Sequence, residues 1–154
     1  MKKLIIILSL GFVFILLLFV FLYQTAMSPL KSQIQKAETT VVDDGYIKTI
    51  DSSDYYFGKE HAIVIQGENK DHKKIIAWVQ NKKVTTHNAS EGLTKKQIMN
   101  QVQKERNPKE IVKVKLGIEN NIPLWEVEYI DHAGHYNYYY ASFKNGQLLK
   151  RYSI

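Results

Sequence analysis

Twenty consecutive residues without a charge, from Leu4 to Tyr23, follow the opening Met1-Lys2-Lys3; only Ser9 and Gly11 dilute their Leu, Ile, Val and Phe. At about 1.5 Å of rise per residue such a run makes a helix roughly 30 Å long, which matches a bilayer's hydrocarbon core. Everything after it is polar, mixed and periodic. The sequence therefore predicts a water-soluble part held beside a membrane.

A cleavable signal peptide is the competing reading. Its apolar stretch is roughly 7–15 residues and ends in a small-x-small site. Here the run is longer, and its exit, Tyr23-Gln24-Thr25-Ala26-Met27-Ser28-Pro29, offers no good site of that kind. The expectation is an uncleaved signal anchor at 4–23 with a cytoplasmic tail at 1–3. Lys2 and Lys3 precede the span, and the nearest later cations are Lys31 and Lys36. That bias puts the N-terminus in the cytoplasm and the rest outside the cell membrane.

The chain carries 21 Lys+Arg against 15 Asp+Glu and no cysteine. Setting Lys2 and Lys3 aside leaves an outer part of net charge +4 (19 against 15). Such a surface suits anionic neighbours, lipid headgroups or wall polymers, and equally serves solubility. Nucleic acid is excluded as a partner by the expected topology, and the lack of cysteine decides no compartment. Asn88-Ala89-Ser90 fits a glycosylation triplet that is common by chance.

The outer part reads as two copies of one plan. Ser28-Pro29 resembles a helix start, and Leu30, Ile34, Ala37 and Val41 form one stripe up to Asp43-Asp44-Gly45. Strands are expected at 46–50 (extending towards 57), 61–66, 75–80 and 83–86, with turns at Gly58, Gly67-Glu68-Asn69 and Asn81-Lys82. Thr94 and Gln97 then form a capping box, with Leu93 and Ile98 as its hydrophobic staple, and Pro108 closes a helix ending near 106. Strands follow at 111–118, 124–130, 136–143 and 147–152, the last pair joined by Asn145-Gly146. Sliding the chain by 64 residues superposes helix on helix and strand on strand. The fold class is α+β: a transmembrane helix, then two small helix-plus-antiparallel-sheet units at 28–87 and 92–154.

Alternation assigns the faces. Trp125, Val127 and Tyr129 point one way and Glu126 and Glu128 the other; Val112, Val114, Leu116 and Ile118 oppose Lys113 and Lys115. Tyr139, Ala141 and Phe143 complete an apolar face for Ile98 and Val102 to cover, as Ile63, Ile65, Ala77 and Val79 do in the first unit. Tyr136, Tyr138 and Tyr140 remain on the outer face, with Trp78 in the matching place of the first unit. These four are the candidate partner-contact face. Tyrosines on such a face suit docking; the same face equally suits packing of one unit on the other.

Leu124-Trp125-Glu126-Val127-Glu128-Tyr129-Ile130-Asp131, then Gly134, Tyr140, Phe143 and Asn145-Gly146, resemble the W-x-V-x-y-x-D strand, turn glycine and F-x-x-G ending of the PepSY domain. The whole chain is similar to the TseB/YpmB-like family of cell-wall elongation regulators, which pair an N-terminal anchor with a TseB-like unit and a PepSY-like unit. The first unit departs from PepSY in having His61 where the second has Trp125. The resemblance implies a regulator outside the cytoplasm whose partner is a membrane-bound penicillin-binding protein of the elongation machinery. It brings no catalytic residues and no cofactor.

Chemistry-bearing clusters are few. Asp131, His132 and His135 share a turn and could contribute to a zinc or copper site, but no further ligand is identifiable. Glu126 and Glu128 share a strand face, as an acid/base pair requires, yet Lys113 and Lys115 oppose them and no long loop encloses them. No G-x-S-x-G, P-loop, G-x-G-x-x-G or H-E-x-x-H pattern occurs. The sequence thus predicts a non-enzymatic protein without metal or cofactor. Alternatives are a binding or sensor module for an anionic wall polymer or peptide, and a peptidase inhibitor.

Overall fold

The computed structural model describes residues 2–81 and 83–154, with the side chains of residues 2–9 and of Ala26 left out. Met1 of the expected tail, the side chain of the anchor residue Leu4, and Lys82 of an expected turn lie outside what is described. The chain divides into two compact units, Met1–Lys36 and Ala37–Ile154.

The first unit is helical throughout its described residues. It belongs to α1 (Lys2–Asp43), which is long and apolar enough to cross a membrane. From Leu10 to Tyr23 its large apolar side chains are exposed. The expected helix start at Ser28-Pro29 is not there: Pro29 lies inside the helix. Proline removes one hydrogen bond from the ladder, whereas ending the helix would require nucleating another, which is the costlier step.

The second unit opens with the last turns of α1. Gly45, at φ 75°, ends them as a Schellman motif: Tyr46 N donates to Val41 O and Gly45 N to Val42 O, each at 3.0 Å. Strands β1 (Thr49–Phe57), β2 (His61–Glu68), β3 (Lys74–Gln80) and β4 (Lys83–Asn88) form an antiparallel meander in that order, sheet A. A 3₁₀ turn (Ala89–Glu91) leads to α2 (Lys95–Arg106) and to β5 (Glu110–Glu119), β6 (Ile122–Ile130), β7 (Tyr136–Ser142) and β8 (Leu148–Ser153), the equally ordered sheet B. The α+β class and the repeat of helix and four-stranded sheet are as the alternation predicts.

Most strand ends shift from expectation by one or two residues, and two departures have a specific cause. The first strand starts at Thr49, because residues up to Ile47 are held back on the helix end by Ile47 N donating to Val41 O. Asn145-Gly146 does not make a two-residue hairpin. β7 ends at Ser142 because the backbone of Phe143 is engaged elsewhere, its N–H donating to Pro123 O and its carbonyl accepting from Leu93 N. The tight hairpin is instead Asn120-Asn121, both at positive φ between the paired Glu119 and Ile122.

On one side of sheet A, Ile63, Ile65 and Ala77 are buried, as are Ala37, Val41 and Ile47 from the helix end. Ser53 Oγ donates to Glu38 Oε1 at 2.6 Å and ties that end to β1. On the other side Tyr56, Ala62, Val64, Ile76 and Trp78 join one cluster with Ile98 and Val102 of α2 and with Leu116, Trp125, Val127, Tyr139 and Phe143 of sheet B. A single core therefore runs through both sheets.

Candidate interaction site at the junction of the sheets

Burial separates the two readings of the aromatic face. Trp78 is fully buried and Tyr140 is 8% exposed; Tyr138 packs partly buried against the same core, and only Tyr136, at 47%, stands out in solvent. The expectation of an exposed contact face through Trp78 and Tyr140 is thus corrected. Two four-stranded sheets each have only one helix, so their second faces gain most by covering each other. Tyr23, the last residue of the expected anchor, is exposed.

The junction has a polar end. Register places Lys115, Glu126, Tyr140 and Lys150 in one row across β5, β6, β7 and β8, and Lys113, Glu128, Tyr138 and Tyr152 in the next. Glu119 closes the network: it accepts from Tyr56 Oη at 2.9 Å and from the backbone of Lys59 at 3.1 Å, and pairs with Lys150 Nζ. Lys150 Nζ also lies 4.2 Å from the centre of the Tyr140 ring, and Lys115 Nζ donates to Tyr55 O at 3.0 Å. Gly117 makes this approach possible, since a Cβ there would come within 2.4 Å of the Tyr56 ring.

Electrostatics follow from these partners. Burial opposes the charge on Glu119, but Lys150, the Lys59 amide and the Tyr56 hydroxyl together hold its carboxyl below the ordinary value. Burial pushes Glu126 up, against a hydrogen bond from Tyr140 and the charge of Lys115. Burial, with Glu119 or Glu126 beside them, also pushes the hydroxyls of Tyr56 and Tyr140 up, so both stay neutral donors. On the helix side Tyr139, pushed up to about 12 by burial and Glu105, donates to Glu105 at 2.7 Å. Such a network fixes geometry; the glutamates of the candidate acid/base pair are each matched to a lysine strand partner.

Beside this network lies an open cleft of about 420 Å³, lined by His87, Glu91, Asn121, Ile122, Pro123, Ser142, Phe143 and Lys144. Trp78, Phe143 and His87 form a ring cluster, with Trp78 and Phe143 centres 5.5 Å apart. His87 Nδ1 lies 2.9 Å from Glu91 Oε2, and Asn88 also donates to Glu91. Apart from Phe143, expected in the core, none of the lining residues stands out in the sequence. Ile122 and Pro123 precede the strand expected from 124, and a cleft assembled by residues far apart in sequence has no local signature.

The candidate metal turn has another explanation. Asp131 Oδ1 accepts from the backbone of Ala133 and His135 at 2.9 and 3.0 Å, and Asn137 Nδ2 donates to Oδ2. These bonds, the His135 amide foremost, hold the carboxyl below its ordinary value. Among the described residues no three His, Asp or Glu gather as metal ligands.

This two-sheet architecture has known counterparts. Residues 36–80 match the cell wall elongation regulator TseB-like domain, and residues 92–152 match the peptidase propeptide and YPEB domain, PepSY. The chain is thus similar to a TseB-like domain followed by a PepSY domain. It is similar to the protein named "Probable cell wall elongation regulator TseB" of Bacillus subtilis (strain 168), 27% identical over 142 residues that cover 90% of this chain and 88% of the relative. Among solved structures it is similar to the YpmB protein from Bacillus subtilis, with a TM-score of 0.74, 26% identity, and coverage of 78% of this chain and 96% of that one. In these terms, Trp125 of the PepSY domain donates from Nε1 to Leu93 O at 2.9 Å and locks the α2 entry onto β6. The TseB-like domain has His61 at the matching place, stacked on Tyr55 and in edge contact with Phe57.

Proposed function

We propose that this chain is a non-enzymatic regulator of cell-wall elongation, anchored in the cell membrane by residues 4–23 with its N-terminus cytoplasmic and its two sheets outside. It acts by contact with a membrane-bound penicillin-binding protein of the elongation machinery, through residues of its units at 28–87 and 92–154. The likeness to a named wall-elongation regulator over 90% of the chain carries this reading. The apolar helix supports the anchor, and its charge bias supports the orientation. An anchor suits such a role, because confinement to one surface raises the effective concentration of two membrane proteins without any new contact.

The test is made in Bacillus subtilis cells lacking their own TseB. Expression of this chain should restore normal cell length, and crosslinking in intact cells followed by mass spectrometry should recover a penicillin-binding protein. Unchanged cell length together with no wall-synthesis protein among the crosslinked species would reject the reading.

A further inference from the structure

We propose that the cleft between the two sheets is a peptide-binding site for an extended acidic–apolar segment of a protein partner. An apolar side chain of that segment seats on Ile122 and Pro123, and a carboxylate meets Lys144. The inference deepens the contact-regulator reading and rests on it only for its biological setting.

Two observations carry it. The first is the floor. The cleft is open, measures about 420 Å³, and has Ile122, Pro123 and Phe143 among its lining residues. Ile122 is 47% exposed, an aliphatic side chain left in solvent where strand β6 begins. Phe143, buried behind them, is held by backbone bonds on both sides, to Pro123 O and from Leu93 N, so the wall that backs Ile122 and Pro123 does not have to order on binding.

The charges are the second observation. Glu91, the acidic side chain among the lining residues, already meets His87 and Asn88. Among the described residues Lys144 makes no ion pair, and Lys83, next to the cleft at Asn121, donates to a neutral amide at 2.7 Å. The rim therefore offers unneutralised positive charge beside an apolar floor, which complements an acidic segment and repels a basic one.

An anionic wall polymer would satisfy Lys144 but leave Ile122 uncovered, so the protein segment is favoured. The full chain, in nanodiscs of zwitterionic lipid, is titrated against a fluorescent hexapeptide with a Leu-Phe pair flanked by glutamates. Its lysine counterpart and long-chain polyphosphate are the comparison probes. The acidic peptide should bind at least about tenfold more tightly than either. Ile122→Asp and Lys144→Glu should each weaken it about tenfold or more, and Lys144→Glu should shift preference towards the lysine peptide.

Polyphosphate binding as tightly as the acidic peptide, equal binding of both peptides, binding by neither, or indifference to both substitutions would each overturn the proposal. Both positions are exposed, and unchanged thermal unfolding of the variants confirms that lost binding is not lost folding. Cells separate the two levels of the inference. Full restoration of cell length by the Ile122→Asp chain overturns the cleft and leaves the contact regulator standing. Failure of the parent chain to alter elongation rejects the regulator, whatever the peptides do.

Discussion

The two helix-and-sheet modules share strand order, yet their helices are specified differently. α2 is written into twelve residues: the Thr94–Gln97 capping box starts it and Asn107, in the left-handed conformation at φ 45°, stops it. The helix of the first module is the end of the 42-residue α1 and has a stop signal, the Gly45 motif, but no start of its own. One module thus carries complete local instructions, while the other relies on continuity with the apolar segment. What the two have in common is not local at all: they share the core built around Trp78, Tyr56 and Phe143.

If that shared core dominates, the largest effect comes from its centre. Trp78→Ala should destabilise the chain by about 3–5 kcal/mol. Because Trp78 packs on Phe143 of the other sheet, denaturant unfolding followed by circular dichroism and by the fluorescence of Trp125 should shift together. Separate transitions would show that the modules unfold independently and would break the comparison. Gly117→Val tests the same junction from sheet B. The added side chain meets the Tyr56 ring, and a loss of about 1–3 kcal/mol is expected, read as a lower denaturation midpoint.

The helix ends come next in size. Gly45→Ala forces a side chain into a left-handed conformation at φ 75° and should cost about 1–2 kcal/mol. Thr94→Ala removes one orphan-donor cap and should cost about 1 kcal/mol. Hydrogen exchange checks where each loss falls: around the last turns of α1 in the first variant, around α2 in the second. If either substitution loosens both helices alike, local specification is not what distinguishes the modules.

Much of this plan is legible in residue order. Period-two alternation assigns Trp125, Val127 and Tyr129 to the side of sheet B that α2 covers, and all three are buried there with Ile98 and Val102. The capping box is visible because its two side chains are three residues apart. The second faces are harder to read, since alternation says only that Trp78 and Tyr140 face away from their own helices. Whether that means solvent or another sheet depends on partners far along the chain. Glu119 illustrates the limit: beside Asn120-Asn121 it resembles a solvated turn residue, and only the sheet contact surrounds it with Tyr56 and Lys150. The cleft beside Ile122 and Lys144 is illegible for the same reason.

The smallest effect concerns two glutamates of the same junction whose environments act in opposite directions. Glu119 is held below its ordinary pKa, so its stabilising contribution is present at neutral pH and is lost as pH falls through the folded-state value. Glu126 is raised, chiefly by burial. The folded protein then keeps a proton on Glu126 that the unfolded chain releases, so this group favours folding least once the pH has risen above its folded-state pKa. Glu126→Gln keeps the shape and the hydrogen bond with Tyr140 while removing the titration. Its thermal midpoint should be at or above that of the parent at neutral pH, and the advantage should shrink as pH falls through the carboxylate range. A parallel pair of curves would mean that Glu126 is solvated like any surface carboxylate, and that the polar end of the junction is wetter than its row of cross-strand partners implies.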